Sequence, residues 1–205
     1  VAGEHLGRGV TSGQVQFLLN KLYNDRTNKG LLVHHGMMEE QKQVGECHAI
    51  ADEFFADLYD WAQLSENRNG RVRSAQIVPN RLSEPLATLS KAIFACSAQM
   101  TKAEDRQDFV SASERLLALA EEIDQWLEQK VAGSVYWVEA SVNRHQHRRV
   151  AMSAAPINVA PVLAEELFSR VKSVIMTSAT LSVGRAQGEF DFLKARVGLT
   201  QTGAL

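Results

Sequence analysis

Apolar side chains recur at helical spacing in two stretches of the first 64 residues. The earlier stretch follows Thr11 and Ser12, either of which is a suitable N-cap, and its apolar positions are Val15, Leu18, Leu19 and Leu22. The later one runs from about Glu39 to Gln63, and its apolar face consists of Ile50, Phe54, Leu58, Trp61 and Leu64. Both patterns predict amphipathic helices, separated by a polar loop from Asn24 to Gly30.

Two more helices are predicted between residues 83 and 130. The first runs from about Ser83 to Met100, with Ser83 as its cap and Pro85 in its first turn. The second opens with Thr101-Lys102-Ala103-Glu104, which has the form of a capping box. Their apolar positions are Leu82, Leu86, Leu89 and Ile93, then Phe109, Ala112, Leu116, Leu119, Ile123, Trp126 and Leu127. Joined apolar faces predict a helical bundle. The aromatic stripe of the earlier helix, from about Glu39 to Gln63, is an alternative base-stacking surface, but the acidic residues on the opposite face of that helix favour burial of the stripe in the core.

The helical pattern ends at Gly133. Ser134 to Ala140 is dense in β-branched and aromatic residues, residues 143–147 form a polar turn, and Arg149 to Met152 resumes a strand-like pattern. This order predicts a β-hairpin. The earlier segment from Arg71 to Val78 is predicted as either a short strand or an extended loop.

A hydroxyl-rich stretch follows a further amphipathic segment, Pro161 to Arg170. The apolar run Val174 to Met176 is followed by Thr177, Ser178, Ala179 and Thr180. This pattern predicts a buried strand of a parallel sheet that carries small polar side chains at its carboxyl end, where α/β sheets bind ligands. The alternative is a core strand ending in a turn whose hydroxyls satisfy local backbone groups.

Four blocks of sequence in a fixed order resemble the DinG branch of the XPD/DinG-like superfamily 2 DNA helicases. They are Ala155 to Val159, Leu163 to Phe168, Val174 to Leu181, and Phe190 to Leu193 continued by Arg196 to Leu199. Thr177, Ser178, Ala179 and Thr180 match helicase motif III, which in that family couples nucleotide hydrolysis to strand separation. The sequence resemblance to the family is close from about Ser134 to Leu199. Between about Leu31 and Lys130 only the predicted architecture resembles that of the family.

The resemblance implies an α+β, mostly helical fold, in which a helical arch-type insertion joins part of a RecA-like α/β motor domain. On this basis residues 1–24 follow the acidic box of the first motor domain, 25–130 form the arch-like insertion, 131–182 return to that motor domain and end in motif III, and 183–205 begin the second. It also implies ATP and Mg²⁺, both bound by other parts of the protein, single-stranded DNA as a partner, and a role in DNA repair. Some members carry an iron–sulfur cluster, whose cysteines lie upstream of this stretch, so the sequence leaves its presence open.

Charge is distributed unevenly, although the net charge is only −2. That balance excludes the strongly basic composition of a free-standing nucleic-acid-binding domain, so DNA contacts must come from local clusters. The candidates are Arg68, Arg71, Arg73 and Arg81 between the long helices, and Arg144, Arg148 and Arg149 on the hairpin. The alternative is that these arginines are simply solvated. No run of about eighteen apolar residues and no signal pattern occur, which predicts a cytoplasmic protein without membrane contact. The absence of an initiator Met suggests a segment of a longer chain.

Sequence motifs for independent catalysis are missing. The chain has no G-x-x-x-x-G-K-[ST] phosphate loop and no G-x-S-x-G nucleophile motif. The pairs His34-His35 and Cys47-His48 lack zinc-finger spacing, so no metal site is predicted, and two cysteines cannot supply a four-thiolate cluster. We therefore predict no catalytic residue here and no ATP hydrolysis by this chain alone. The competing hypothesis is a non-enzymatic helical module that binds a protein partner.

Overall fold

A computed structural model describes residues 8–64, 69–142, 148–177 and 190–199. Its helices are α1 (Ser12–Leu22), α2 (Leu31–His34), α3 (Met38–Gln63), α4 (Ser83–Ser97), α5 (Ala103–Leu127), α6 (Ala160–Leu163) and α7 (Asp191–Val197). A π-helical turn, Ala164–Phe168, continues α6. The strands are β1 (Arg8–Thr11), β2 (Arg71–Val72), β3 (Ser134–Val142) and β4 (Arg148–Pro156). The described part is therefore α+β and mostly helical, as predicted.

The four strands form one antiparallel sheet in the order β1-β4-β3-β2. The predicted hairpin is confirmed, because β3 and β4 pair along their whole length, from Ser134 opposite Pro156 to Val142 opposite Arg148. Side chains alternate between the two faces of a strand, so the register assigns each residue to a face. The inner face is buried and consists of Val10, Val72, Tyr136, Val138, Val150, Met152 and Ala154. Residues of the opposite face remain exposed or half-buried.

The first helix forms as its sequence predicts. Thr11 is the N-cap of α1: its side-chain oxygen accepts a hydrogen bond from the backbone N–H of Gln14 at 3.1 Å, and the Gln14 side chain accepts from the backbone N–H of Thr11 at 2.8 Å. This reciprocal pair satisfies two backbone donors at the helix start. All four predicted apolar positions of α1 are buried.

One hydrophobic core joins α1 through α5 to the inner face of the sheet. The predicted apolar stripe of α3 contributes Phe54 and Leu58 to this core, whereas Leu64 at the helix end is half exposed. The residues of this α3 stripe therefore pack in the core and do not form a surface on which DNA bases could stack. Where α4 meets α5, the buried Ser90 hydroxyl donates to the Ser113 backbone carbonyl at 2.7 Å. Small polar side chains satisfied in this way let two helices approach closely without an unpaired polar group.

The predicted caps of α4 and α5 are wrong. Ser83 is the first residue of α4 rather than its cap; its hydroxyl is buried without a hydrogen-bond partner, and its backbone N–H donates to the Asn80 side chain at 3.2 Å. α5 begins at Ala103 and has no side-chain cap. Nearby, the Arg106 guanidinium donates to the Met100 carbonyl at 3.0 Å. Tertiary placement of the connecting loops therefore outweighs the local capping preference at both helix starts.

The predicted parallel strand is also wrong. Residues 171–177 have no regular structure and are exposed, and Ile175 is 91% accessible. A buried parallel strand needs a neighbouring strand to complete its backbone hydrogen bonds. Among the described ranges, no strand pairs with this run, and the sheet that does form is antiparallel. The upstream segment from Pro161 to Arg170 is helical as far as Phe168. None of its residues is fully buried.

Both cysteines, Cys47 and Cys96, are buried free thiols. Burial raises the pKa of Cys47 to about 11, with a further contribution from Glu46, and burial raises the pKa of Cys96 to about 11, with a further contribution from Glu40. A rise of about two pKa units lowers the reactive thiolate fraction by about a hundredfold.

We therefore expect neither thiol to react with a disulfide reagent in the folded protein at pH 8, while both react rapidly after denaturation. Peptide mapping by mass spectrometry distinguishes Cys47 from Cys96. Rapid labelling of either peptide in protein with an intact circular dichroism spectrum would contradict this prediction.

Candidate nucleic-acid interface

One face of the sheet combines cationic and aromatic side chains. Arg71 of β2 lies opposite Trp137 of β3, and Ser141 of β3 lies opposite Arg149 of β4. Directly opposed residues share a face, and so do residues two apart along a strand. Several side chains therefore project from the side of the sheet opposite the core, and among them we define the outer face as Arg71, Trp137, Glu139, Ser141 and Arg149.

The outer face presents two guanidinium groups on either side of an aromatic ring. Arg71 and Arg149 are both exposed. Their positions differ by four residues along the strands and by two strand spacings across the sheet, so their Cα atoms are about 16 Å apart. Trp137 is half-buried, and its indole N–H donates to the Glu139 carboxylate at 2.8 Å. Such a combination of backbone-binding cations and a stacking ring is typical of surfaces that bind single-stranded nucleic acid.

Arg148 lies on the other side of the sheet. Its guanidinium carbon is 4.7 Å from the centre of the Tyr59 ring and a guanidinium nitrogen is 3.6 Å from an Asp60 carboxylate oxygen. Both partners belong to α3. Arg148 therefore contacts α3 from the end of the hairpin, and its side chain projects from the face of the sheet opposite to that of Arg71 and Arg149.

A cleft of ≈ 1150 Å³ adjoins the hairpin where β1 ends and the chain turns into α1. Beyond Thr11, β4 loses its β1 partner, and the Ser12 hydroxyl instead accepts a hydrogen bond from the Val150 backbone N–H at 3.2 Å. The charged residues that line this cleft are balanced in sign: Arg26, Arg148 and Arg149 against Asp25, Asp52 and Glu139. Glu139, Ser141 and Arg149 belong to both the cleft and the outer face, so the two surfaces are continuous, and Arg71 is the cation of the outer face that does not line the cleft.

His48 also lines the cleft and does not add to its positive charge. Burial lowers the pKa of His48, and the nearby carboxylates of Asp52 and Asp25 offset this effect only in part. The imidazole is therefore neutral at pH 7. Asp52 is itself engaged, since one of its oxygens accepts from the Gln16 side-chain amide at 3.1 Å.

The remaining predicted site residues are dispersed. Arg73 is exposed just after β2, and a guanidinium nitrogen of Arg81 is 3.9 Å from an Asp57 carboxylate oxygen. Thr177 is exposed. Five predicted positions lie outside the described residues, namely Arg68, Arg144, Ser178, Ala179 and Thr180.

Sequence reasoning did not select Trp137. It was assigned to a strand, but nothing local indicated which face it occupies. The signal that identifies it is the period-two alternation from the buried Tyr136 and Val138, combined with the pairing register to Arg71.

No family model matches this chain. The "3'-5' exonuclease DinG" of Bacillus subtilis strain 168 is 23% identical over 241 aligned positions, which cover 97% of this chain and 25% of that protein. The "ATP-dependent helicase DinG" of Mycobacterium tuberculosis strain H37Ra is 41% identical over 66 positions, and so is that of Mycobacterium bovis; each match covers 32% of this chain and 9% of the relative. This chain is similar to DinG proteins. It spans about a quarter of the length of the first relative and less of the others.

The described residues include neither a membrane-spanning helix nor a cluster of metal ligands. None of the helices in those ranges is both long and apolar enough to cross a membrane. Nor do His, Cys, Asp and Glu side chains within the same ranges form any group of three or more that could hold a metal ion.

Proposed function

We propose that this chain is part of a DinG-type, ATP-dependent DNA helicase. The proposal is carried by the similarity to DinG proteins: one named a 3'-5' exonuclease matches 97% of the chain, and one named an ATP-dependent helicase is 41% identical over 32% of it. In this proposal α3 to α5 belong to the arch-type insertion, and the segment from Thr177 to Thr180 couples ATP hydrolysis to strand separation. ATP and Mg²⁺ are bound by other parts of the complete protein, because this chain has no phosphate loop. The remaining motor domains of the same protein are its partners.

Within the complete helicase, the outer face contacts a single DNA strand. Arg71 and Arg149 are exposed and lie on one surface, whereas the long helices carry acidic residues on their solvent sides, such as Glu53 of α3 and Glu121 of α5. Phosphates are repelled by such carboxylates and attracted to the guanidinium groups. The charge distribution therefore favours a strand that lies on the sheet rather than along the helices.

The double change Arg71→Ala with Arg149→Ala, made in the complete protein, tests this proposal. Each phosphate contact that is lost should reduce the slope of log affinity against log salt by about 0.7 for a single strand. We therefore expect weaker binding of oligothymidylate at low salt and a salt slope lower by about 1.4. Binding is measured by fluorescence anisotropy across a salt series.

Arg115→Ala is the matched control, since Arg115 is also an exposed arginine but lies on α5. It should leave both the affinity and the salt slope unchanged. If the double variant keeps the slope of the unmodified protein, Arg71 and Arg149 are only solvated, and the outer face is not a phosphate-binding surface.

A further inference from the structure

We propose that Trp137 is a stacking platform for one unpaired base of the DNA strand, whose flanking phosphates are held by Arg71 and Arg149. This inference rests on the proposed function and specifies which part of the ligand the centre of the outer face binds. A duplex keeps its bases paired and stacked inside, so a base on Trp137 requires a single strand. Base stacking on an aromatic side chain is also tolerant of sequence, since every base offers a flat face.

The packing of the sheet explains why this tryptophan is available. Its strand neighbours Tyr136 and Val138 are turned to the inner face and are only 4% and 3% exposed. Trp137 projects to the other side and is half-buried. Trp126 offers a contrast: it is a core residue at 5% exposure, and its indole N–H donates to the Ser153 backbone carbonyl at 2.9 Å.

Glu139 orients the ring and selects what lies over it. It accepts the indole N–H at 2.8 Å from two positions along the same strand, so the polar edge of Trp137 is already satisfied. The face of the ring is then the part of the side chain that is left to bind a ligand. The negative charge of Glu139 repels a phosphate at this point, so a base lies over Trp137 and phosphates lie toward Arg71 and Arg149. Glu139 is thus a positioning residue.

The pairing register of the strands sets the spacing between Arg71, Trp137 and Arg149 on the outer face. Arg71 is the direct cross-strand partner of Trp137, while Arg149 lies four residues further along the sheet, opposite Ser141. A DNA strand crossing from Arg71 to Arg149 therefore passes over the Trp137 ring and then reaches Ser141, with its phosphates directed away from the Glu139 carboxylate. The arrangement places an aromatic contact between two cationic contacts, and grooves that bind single strands combine these two kinds of contact.

Trp137→Leu in the complete protein tests the inference. Loss of one stacked base should weaken binding of oligothymidylate by about 5- to 150-fold. The salt slope should stay unchanged, because no phosphate contact is removed. Trp137→Phe should keep most of the affinity, since the phenyl ring still stacks. Binding should also quench tryptophan fluorescence in the unmodified protein, and that quenching should be lost in Trp137→Phe.

Phe94→Leu is the control for removing an exposed aromatic ring, because Phe94 is 58% exposed on α4, away from the outer face. It should bind DNA normally. Melting temperatures of all variants show whether a loss of binding follows a loss of folding, and Trp137→Phe keeps the test decisive if Trp137→Leu does not fold.

The outcomes separate this inference from the proposed function. If Trp137→Leu binds normally while the Arg71 and Arg149 double variant loses salt dependence, stacking is overturned and DNA binding by the outer face stands. If Trp137→Leu and Trp137→Phe lose the same DNA affinity and their melting temperatures fall equally, Trp137 has only a structural role. That result also overturns the inference. If every outer-face variant binds normally, the DNA contact proposed for this surface is itself wrong.

Discussion

Phe109→Ala is expected to lower the free energy of unfolding by about 3–5 kcal/mol, the usual cost of replacing a buried phenylalanine with alanine. Phe109 is fully buried on α5 and meets the His35 ring edge-on, with ring centres 5.4 Å apart. The change therefore leaves a cavity in α5 and also removes a contact that holds the end of α2. For a protein of this size the midpoint of thermal unfolding should fall by about 6–20 °C.

Phe94→Ala is the matched control, since it removes the same side chain from an exposed position of the neighbouring helix α4. Its effect should stay within about 0.5 kcal/mol. If Phe109→Ala does not fold, Phe109→Leu should fold with a smaller loss of stability, because it removes fewer buried carbon atoms and leaves a smaller cavity. Equal stability of the Phe109→Ala and Phe94→Ala proteins in urea unfolding would show that α5 is not anchored through this ring.

Replacing both Ser178 and Thr180 with alanine in the complete protein is expected to reduce DNA unwinding by about ten- to a hundredfold. DNA-stimulated ATP hydrolysis should change far less. The prediction rests on the coupling role proposed for the segment from Thr177 to Thr180. A hydroxyl that bonds to a motor group in one nucleotide state contributes about 1–3 kcal/mol when its loss leaves that group unsatisfied. Because 1.4 kcal/mol corresponds to a factor of ten, such a loss shifts a two-state motor by one to two orders of magnitude.

Ser173→Ala is the control for removing a nearby hydroxyl, because Ser173 is exposed and lies upstream of the motif. It should unwind DNA normally. The measured quantity is base pairs unwound per ATP hydrolysed, at equal melting temperature. If the double variant has the same ratio as the unmodified protein, its hydroxyls serve only a local turn, and the coupling role is rejected.

The local sequence was sufficient to predict an element wherever all of the interactions that define the element lie within one short segment. The α1 capping box is an example: Thr11 and Gln14 are three residues apart and satisfy each other's backbone groups without help from the rest of the chain. The hairpin is another, because two strand patterns separated by a short polar segment have little choice of partner. Resemblance to the DinG family also came from ordered local blocks and is supported by the similarity to DinG proteins.

Contacts between residues that are distant in sequence decided the features that the local sequence did not predict. The run from Val174 to Met176 has the composition of a buried strand, yet it is exposed, since a strand exists only where another strand completes its hydrogen bonds. Arg148 and Arg149 are adjacent in a basic segment, but the pairing register turns one toward Tyr59 on α3 and the other to the outer face.

The sequence by itself therefore determined where α1, α3, α4, α5 and the hairpin lie, and which family the chain resembles, because periodicity, turn residues and motif order act within short segments. Only the tertiary structure decided that Trp137 lies beside Arg71 on the outer face and that Ser83 is the first residue of α4 rather than its cap. Those outcomes depend on the register between strands and on the packing of loops. Both arise from contacts between residues far apart in the chain, which no local pattern encodes.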